Sequence, residues 1–126
     1  MKIEPGYEPL AAILQEALEQ AQHGKGKVCH ANGKPFLEQP IMSGGRECGA
    51  GGLAFQARKK ILEALNCADD DRAIADLLGA INYTAAMVIL RREEAKPEPC
   101  FSLHNIFLER VIDGGVFPDL SDLKLE

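Results

Sequence analysis

The ten residues INYTAAMVIL, 81–90, lie inside a helix-compatible run from about Asp70 to Glu94 and are apolar on nearly every side. A surface helix keeps one polar face; a helix that is apolar all round must be covered on several sides. The rest of the chain therefore has to supply neighbours for it, which makes this run the central helix. Ile74, Leu77 and Leu78 extend its apolar surface, and Ala73, Gly79, Ala80, Ala85 and Ala86 let other backbones approach closely. Asp69, Asp70 and Asp71 suit its start, where side-chain caps and the helix dipole favour negative charge. There is no Trp and only 6% of residues are aromatic, so the core has to be aliphatic and alanine-rich, which favours helix.

Two other segments have the helical period. Leu10, Ile13, Leu14, Ala17, Leu18 and Ala21 recur at three- and four-residue spacing, with Pro9 in the first turn and His23-Gly24 at the end, predicting a helix over 9–23. Phe55, Ile61, Leu62 and Leu65 mark a second from about Leu53 to Asn66, joined to the central helix by a short break at Cys67-Ala68. Together these make a helical hairpin over 53–94. A linker follows at 95–101, then a short helix over 102–113 with Leu103, Ile106, Phe107 and Val111 on one face, and a tail over 114–126. At 126 residues this is one domain, mainly α, with about four helices around the hairpin. The first and last helices present apolar faces that such a packing leaves open, so a homo-oligomer is expected, with a dimer favoured.

Between the first two helices, residues 24–52 lose the helical period and hold eight of the twelve glycines, with Pro35 and Pro40. The expectation is a long irregular, glycine-rich insertion. Asn32-Gly33 readily takes the positive φ of a tight turn and leaves room for a short β-hairpin. Phe36, Leu37, Ile41 and Met42 give the segment something to bury, so it should be ordered.

The formal charge is −5, yet residues 24–60 carry seven of the fourteen basic side chains against only Glu38 and Glu47. A basic island ahead of a helix start can hold an anion, because free N–H groups and the dipole favour negative charge there. The candidate anion-binding residues are Lys25, Lys27, Lys34, Gly44, Gly45, Arg46, Gly51, Gly52 and Arg58, with Arg46 offering a forked contact. Neither the GxxxxGK[ST] nor the GxGxxG phosphate fingerprint occurs. The competing use of these glycines is in turns and close helix packing.

Other chemistry is poorly supplied. Cys29, Cys48, Cys67 and Cys100 form no CxxC pair and read as plain thiols, two or three of them buried. Cys29-His30, Cys48 and Cys100-x3-His104 could converge only through the fold, so no metal and no cofactor is assigned. Cys48 has a basic setting but no cysteine-hydrolase signature, and no catalytic residue is assigned. Glu16-x2-Glu19 lacks the second acidic pair that Mg-dependent nucleotide pyrophosphohydrolases carry. The acidic net charge and the lack of a stacking platform argue against nucleic acid as a partner. No signal-peptide segment opens the chain and no run of about 20 apolar residues is apparent, which predicts a cytoplasmic protein with no membrane association.

GKGKVCHANGKPFLEQPI, with the helical hairpin after it, resembles small uncharacterised proteins of phages and prophages over residues 24–65. The resemblance implies an accessory protein and assigns no residue a role. The leading expectation is a non-enzymatic oligomeric binding protein whose basic insertion receives an anionic ligand or partner. An enzyme acting on a nucleotide or other phosphorylated small molecule, and a purely structural assembly protein, are the alternatives.

Overall fold

The computed structural model describes residues 1–30 and 32–95. The linker, short helix and tail expected over 96–126 fall outside the described residues, as do Cys100 and His104. Within them the protein is mainly helical, with α1 at Glu8–His23, α2 at Pro40–Cys48, α3 at Ala50–Leu65 and α4 at Asp70–Ala95.

Pro9 sits in the first turn of α1, and the helix stops where the Gly24 N–H donates to the Gln20 carbonyl at 2.7 Å. α4 begins on a side-chain cap. Asp69 Oδ1 accepts from the backbone N–H groups of Asp71 and Arg72, at 3.0 and 3.3 Å. A cap of this kind is worth roughly 1 kcal/mol.

α1, α2 and α3 all pack on α4. α3 and α4 run antiparallel: Lys60 of α3 meets Asp76, and Leu53 at its other end packs with Ala86 and Leu90. Buried Ala57, Ala64, Ala80 and Ala86 keep the packed helices close. On the α1 side, Gln20 Nε2 donates to the Ala75 carbonyl at 3.0 Å, and Asn82 Nδ2 to the Ala17 carbonyl at 3.0 Å. These bonds seat one N–H donor of each amide on a backbone carbonyl across the helix contact, while Gln20 Oε1 is buried with no hydrogen-bond partner among the described residues.

The segment between α1 and α3 is more regular than its glycine content predicts. A π-helical turn spans Gly26–His30, a 3-10 turn spans Phe36–Glu38, and α2 occupies nine residues inside the segment whose glycines predict an irregular path. Packing overrides propensity here. Pro40 opens α2, the Gln39 carbonyl accepts from Met42 and Ser43, and Met42 becomes fully buried against Leu53, Ala86 and Leu90. Burial of side chains of this size contributes about 1.5–3 kcal/mol each, more than the roughly 1 kcal/mol that a helical glycine costs. Asn32 and Gly33 do take positive φ, 50° and 75°, but no strand flanks them among the described residues.

A single residue, Gly49 with φ 80°, separates α2 from α3. This backbone conformation is open to glycine and strained for other residues, so it sets a sharp corner that folds α2 back over α3 and α4. α3 accordingly starts at Ala50, three residues earlier than its apolar period indicates.

Among the described residues the closed core is small. Met42, Leu53, Ala86 and Leu90 form it, with Phe36, Ile41, Tyr83, Met87 and Ile89 around them. Elsewhere large apolar residues remain open: Leu10 is 54% exposed and Leu14 50% on α1, and Phe55 60% and Leu65 74% on α3. α4 is itself long and apolar enough to cross a membrane by length and composition, with a mean hydropathy of 1.7 over an 18-residue window that apolar runs alone did not reveal.

Candidate functional site

Arg46 stands on the last turn of α2. Its Nε donates to Glu93 Oε2 at 3.0 Å and its Nη2 to Glu93 Oε1 at 2.9 Å, while Nη1 reaches the Leu37 carbonyl at 2.8 Å. Three nitrogens of one guanidinium thus tie the 3-10 turn, α2 and the end of α4 together. The Glu93 hydrogen bonds raise the Arg46 pKa above its usual value, outweighing partial desolvation, and the carboxylate charge adds to the effect. A planar fork against a carboxylate is the geometry that lysine cannot reproduce.

The glycines named for the anion site divide by surroundings. Gly45 is buried, and a Cβ there would lie 2.9 Å from Leu53 Cδ1. It serves close helix contact. Gly44 and Gly51 have open space where a side chain would go, and Gly52 faces Cys48 Cβ at 3.6 Å. Gly51 and Gly52 belong to the first turn of α3 rather than to a loop.

Lys25 and Lys34 are exposed and Lys27 is half-buried on the segment after α1. The Lys27 carbonyl accepts from Gly33 N–H, and the Lys34 carbonyl accepts from the buried Gln39 amide at 2.9 Å. Their backbone is thereby fixed while the ammonium groups face solvent or the surface.

Arg58 is placed differently. It lines an open groove of about 580 Å³ between the end of α3 and the start of α4, with Phe55 and Leu62, the cations Lys59 and Arg72, the carboxylates Glu63 and Asp76, and Asn66 and Cys67. None of the other eight candidate residues lines this groove. One of its cations, Lys59, pairs with Glu63 at 3.8 Å, and its Asp76 is taken by Lys60, which lies outside the lining, at 2.7 Å. The Arg58 and Arg72 guanidinium groups have no ion pair or hydrogen bond among the described residues. A second groove of about 460 Å³ lies beside Ala50, Thr84, Met87, Val88, Arg91 and Arg92.

Cys29 and Cys48 are exposed and Cys67 is half-buried, its Sγ 3.5 Å from the Asp69 carbonyl, so fewer thiols are buried than expected. The described residues contain no cluster of three or more His, Cys, Asp or Glu placed to hold a metal ion.

Three contacts of the candidate region escaped the sequence. The partner of Arg46 is 47 residues away, the Lys60–Asp76 pair hides in a run of three basic residues, and Arg72 reaches the groove from another helix. Only Lys60 left a signal, four residues before Ala64 and three after Ala57 on the face that α3 buries. No family model matches this chain, and no curated protein or solved structure does so either.

Proposed function

We propose that the protein is a small non-enzymatic binding protein that acts as an oligomer, a dimer in the simplest case, with its basic segment turned towards an anionic partner. The contrast between the closed core and the open helix faces carries this reading. One fully buried cluster sits where α2, α3 and α4 meet, while Leu10, Ile13, Leu14 and Leu18 leave the apolar side of α1 largely exposed. Covering half-exposed leucines contributes about 1 kcal/mol each, and a second copy is the simplest source of cover.

The anionic partner is met by Lys25, Lys27 and Lys34, which remain at the surface, while Arg46 supports the scaffold through Glu93 and Arg58 lies apart on the α3–α4 groove. Glycines 44, 45, 51 and 52 contribute by shaping the corner at Gly49 and allowing Gly45 to pack on Leu53. The commitment of Arg46 to Glu93 also favours the purely structural assembly reading over an enzyme of phosphorylated molecules. A cytoplasmic location fits α4 as a bundle helix, because its Asp76 is paired with α3 and its Asn82 with α1. An accessory role of the phage type accords with the resemblance over 24–65.

Sedimentation equilibrium combined with thermal-shift measurement against inorganic phosphate and nucleoside triphosphates tests the reading. A dimer is expected, with phosphate-bearing ligands raising the melting temperature less in Lys25→Ala/Lys27→Ala/Lys34→Ala than in the wild type. A monomer at every concentration would remove the oligomer, and turnover of a nucleotide would replace the binding role with catalysis.

A further inference from the structure

We infer that the groove between the end of α3 and the start of α4 is where α1 of a second copy docks. This rests on the oligomer proposed above and names its contact. Phe55 and Leu62 give the groove an apolar floor that solvent reaches, 60% and 43% exposed. Around it stand Arg58 and Arg72, which have no ion pair among the described residues. The two carboxylates that also line it, Glu63 and Asp76, are each taken up by a lysine, Lys59 and Lys60, so the groove keeps a net positive charge. An occupant must therefore be apolar along one face and acidic beside it.

α1 has that composition. It carries Glu8, Glu16 and Glu19 and no Lys or Arg, and its Leu10, Leu14 and Leu18 remain about half exposed. Among the described residues Ala17 is the one buried residue of α1, so its packing on α4 uses one strip of the helix and leaves the leucines half exposed. Helical spacing places Leu10, Leu14 and Leu18 on one side, with Glu8 and Glu19 along a single flank of that stripe and Glu16 on the far side. On that flank Glu8 accepts from the Gly6 N–H and Glu19 from Gln15. Reciprocal docking, each copy keeping its own α1–α4 contact, satisfies both grooves through one two-fold axis.

Charge reversal tests the assignment with three preparations. In Arg58→Glu/Arg72→Glu the groove becomes acidic and repels the partner's α1. In Glu8→Lys/Glu16→Lys/Glu19→Lys the helix becomes basic and is repelled by the native groove. Each variant alone should dissociate at least tenfold more readily than the wild type in sedimentation equilibrium. An equimolar mixture of the two should restore a dimer that contains one copy of each, because every groove then meets a helix of opposite charge.

The wild type supplies a measurement that needs no variant to fold. Raising sodium chloride from 50 to 500 mM should weaken its dimer several-fold, since exposed complementary charges are screened. Variants that dimerise as tightly as the wild type, a mixture that fails to associate, or a dimer indifferent to salt would each overturn the docking site. In those cases a dimeric wild type would leave the oligomer reading standing. A monomeric wild type would remove both.

Discussion

Gly44 and Gly45 are neighbours in one helix, and the structure predicts opposite outcomes for the same substitution. At Gly44 a new Cβ meets nothing within 4 Å. Gly44→Ala should therefore add only the helix propensity of alanine, a gain of up to about 1 kcal/mol. At Gly45 the Cβ would stand 2.9 Å from Leu53 Cδ1 and 3.3 Å from its Cγ. Carbon atoms prefer about 3.5–4.0 Å, so α2 or Leu53 must retreat by more than half an ångström. Leu53 is 3% exposed and held by Met42, Ala86 and Leu90, so it has no free direction. Overpacking of this kind costs about 1–3 kcal/mol, which cancels or exceeds the propensity gain. Gly45→Ala should be less stable than Gly44→Ala by about 1–3 kcal/mol. Urea unfolding at one fixed protein concentration reads this as a shift in midpoint at constant slope. Trimming the obstacle should remove the conflict: Leu53→Ala alone costs about 2–5 kcal/mol, but adding Gly45→Ala to it should then cost nothing. Equal stability of the two alanine variants, or strict additivity with Leu53→Ala, would refute the close packing of α2 on α3.

Arg46→Lys should loosen α2 nearly as much as Arg46→Ala, read as faster amide exchange across Pro40–Cys48, because an ammonium cannot bridge both Glu93 oxygens and the Leu37 carbonyl. The pKa of Arg46 is raised in the folded state, so its stabilisation is complete below the ordinary guanidinium value and is lost only as pH rises through the folded one. Melting temperature should accordingly show no loss from Arg46 between pH 6 and pH 9. Lys60→Ala leaves Asp76, whose side chain is 15% exposed, without its 2.7 Å partner and should cost about 1–3 kcal/mol in urea unfolding. The double variant Lys60→Ala/Asp76→Ala should recover part of that cost.

Three helices were legible because their evidence is local. The spacing of Leu10, Leu14 and Ala17, the start at Asp69 and the apolar run to Leu90 all lie within single elements. α2 was hidden because its signals conflict: Ser43, Gly44 and Gly45 speak against a helix, while the burial that rewards it depends on Leu53 and Leu90, 11 and 48 residues beyond Met42. The candidate site fared similarly. Residue type found the cations, but whether a cation is neutralised depends on a distant carboxylate. Arg46 proved to be matched by Glu93, while Arg58 gained the company of Arg72 from another helix. Glycine meaning was equally contextual, with Gly45 set by a neighbouring leucine and Gly49 by its own φ.

The span between Arg46 and Glu93 also sets an order of events during synthesis. A ribosome adding about 5–20 residues per second needs about 2–9 s to cover the 47 residues between them. Throughout that interval Met42 and Leu53 have neither Leu90 nor the carboxylate clamp to close over them. The first half of the chain thus emerges with its seat unbuilt, and only the last turn of α4 completes it.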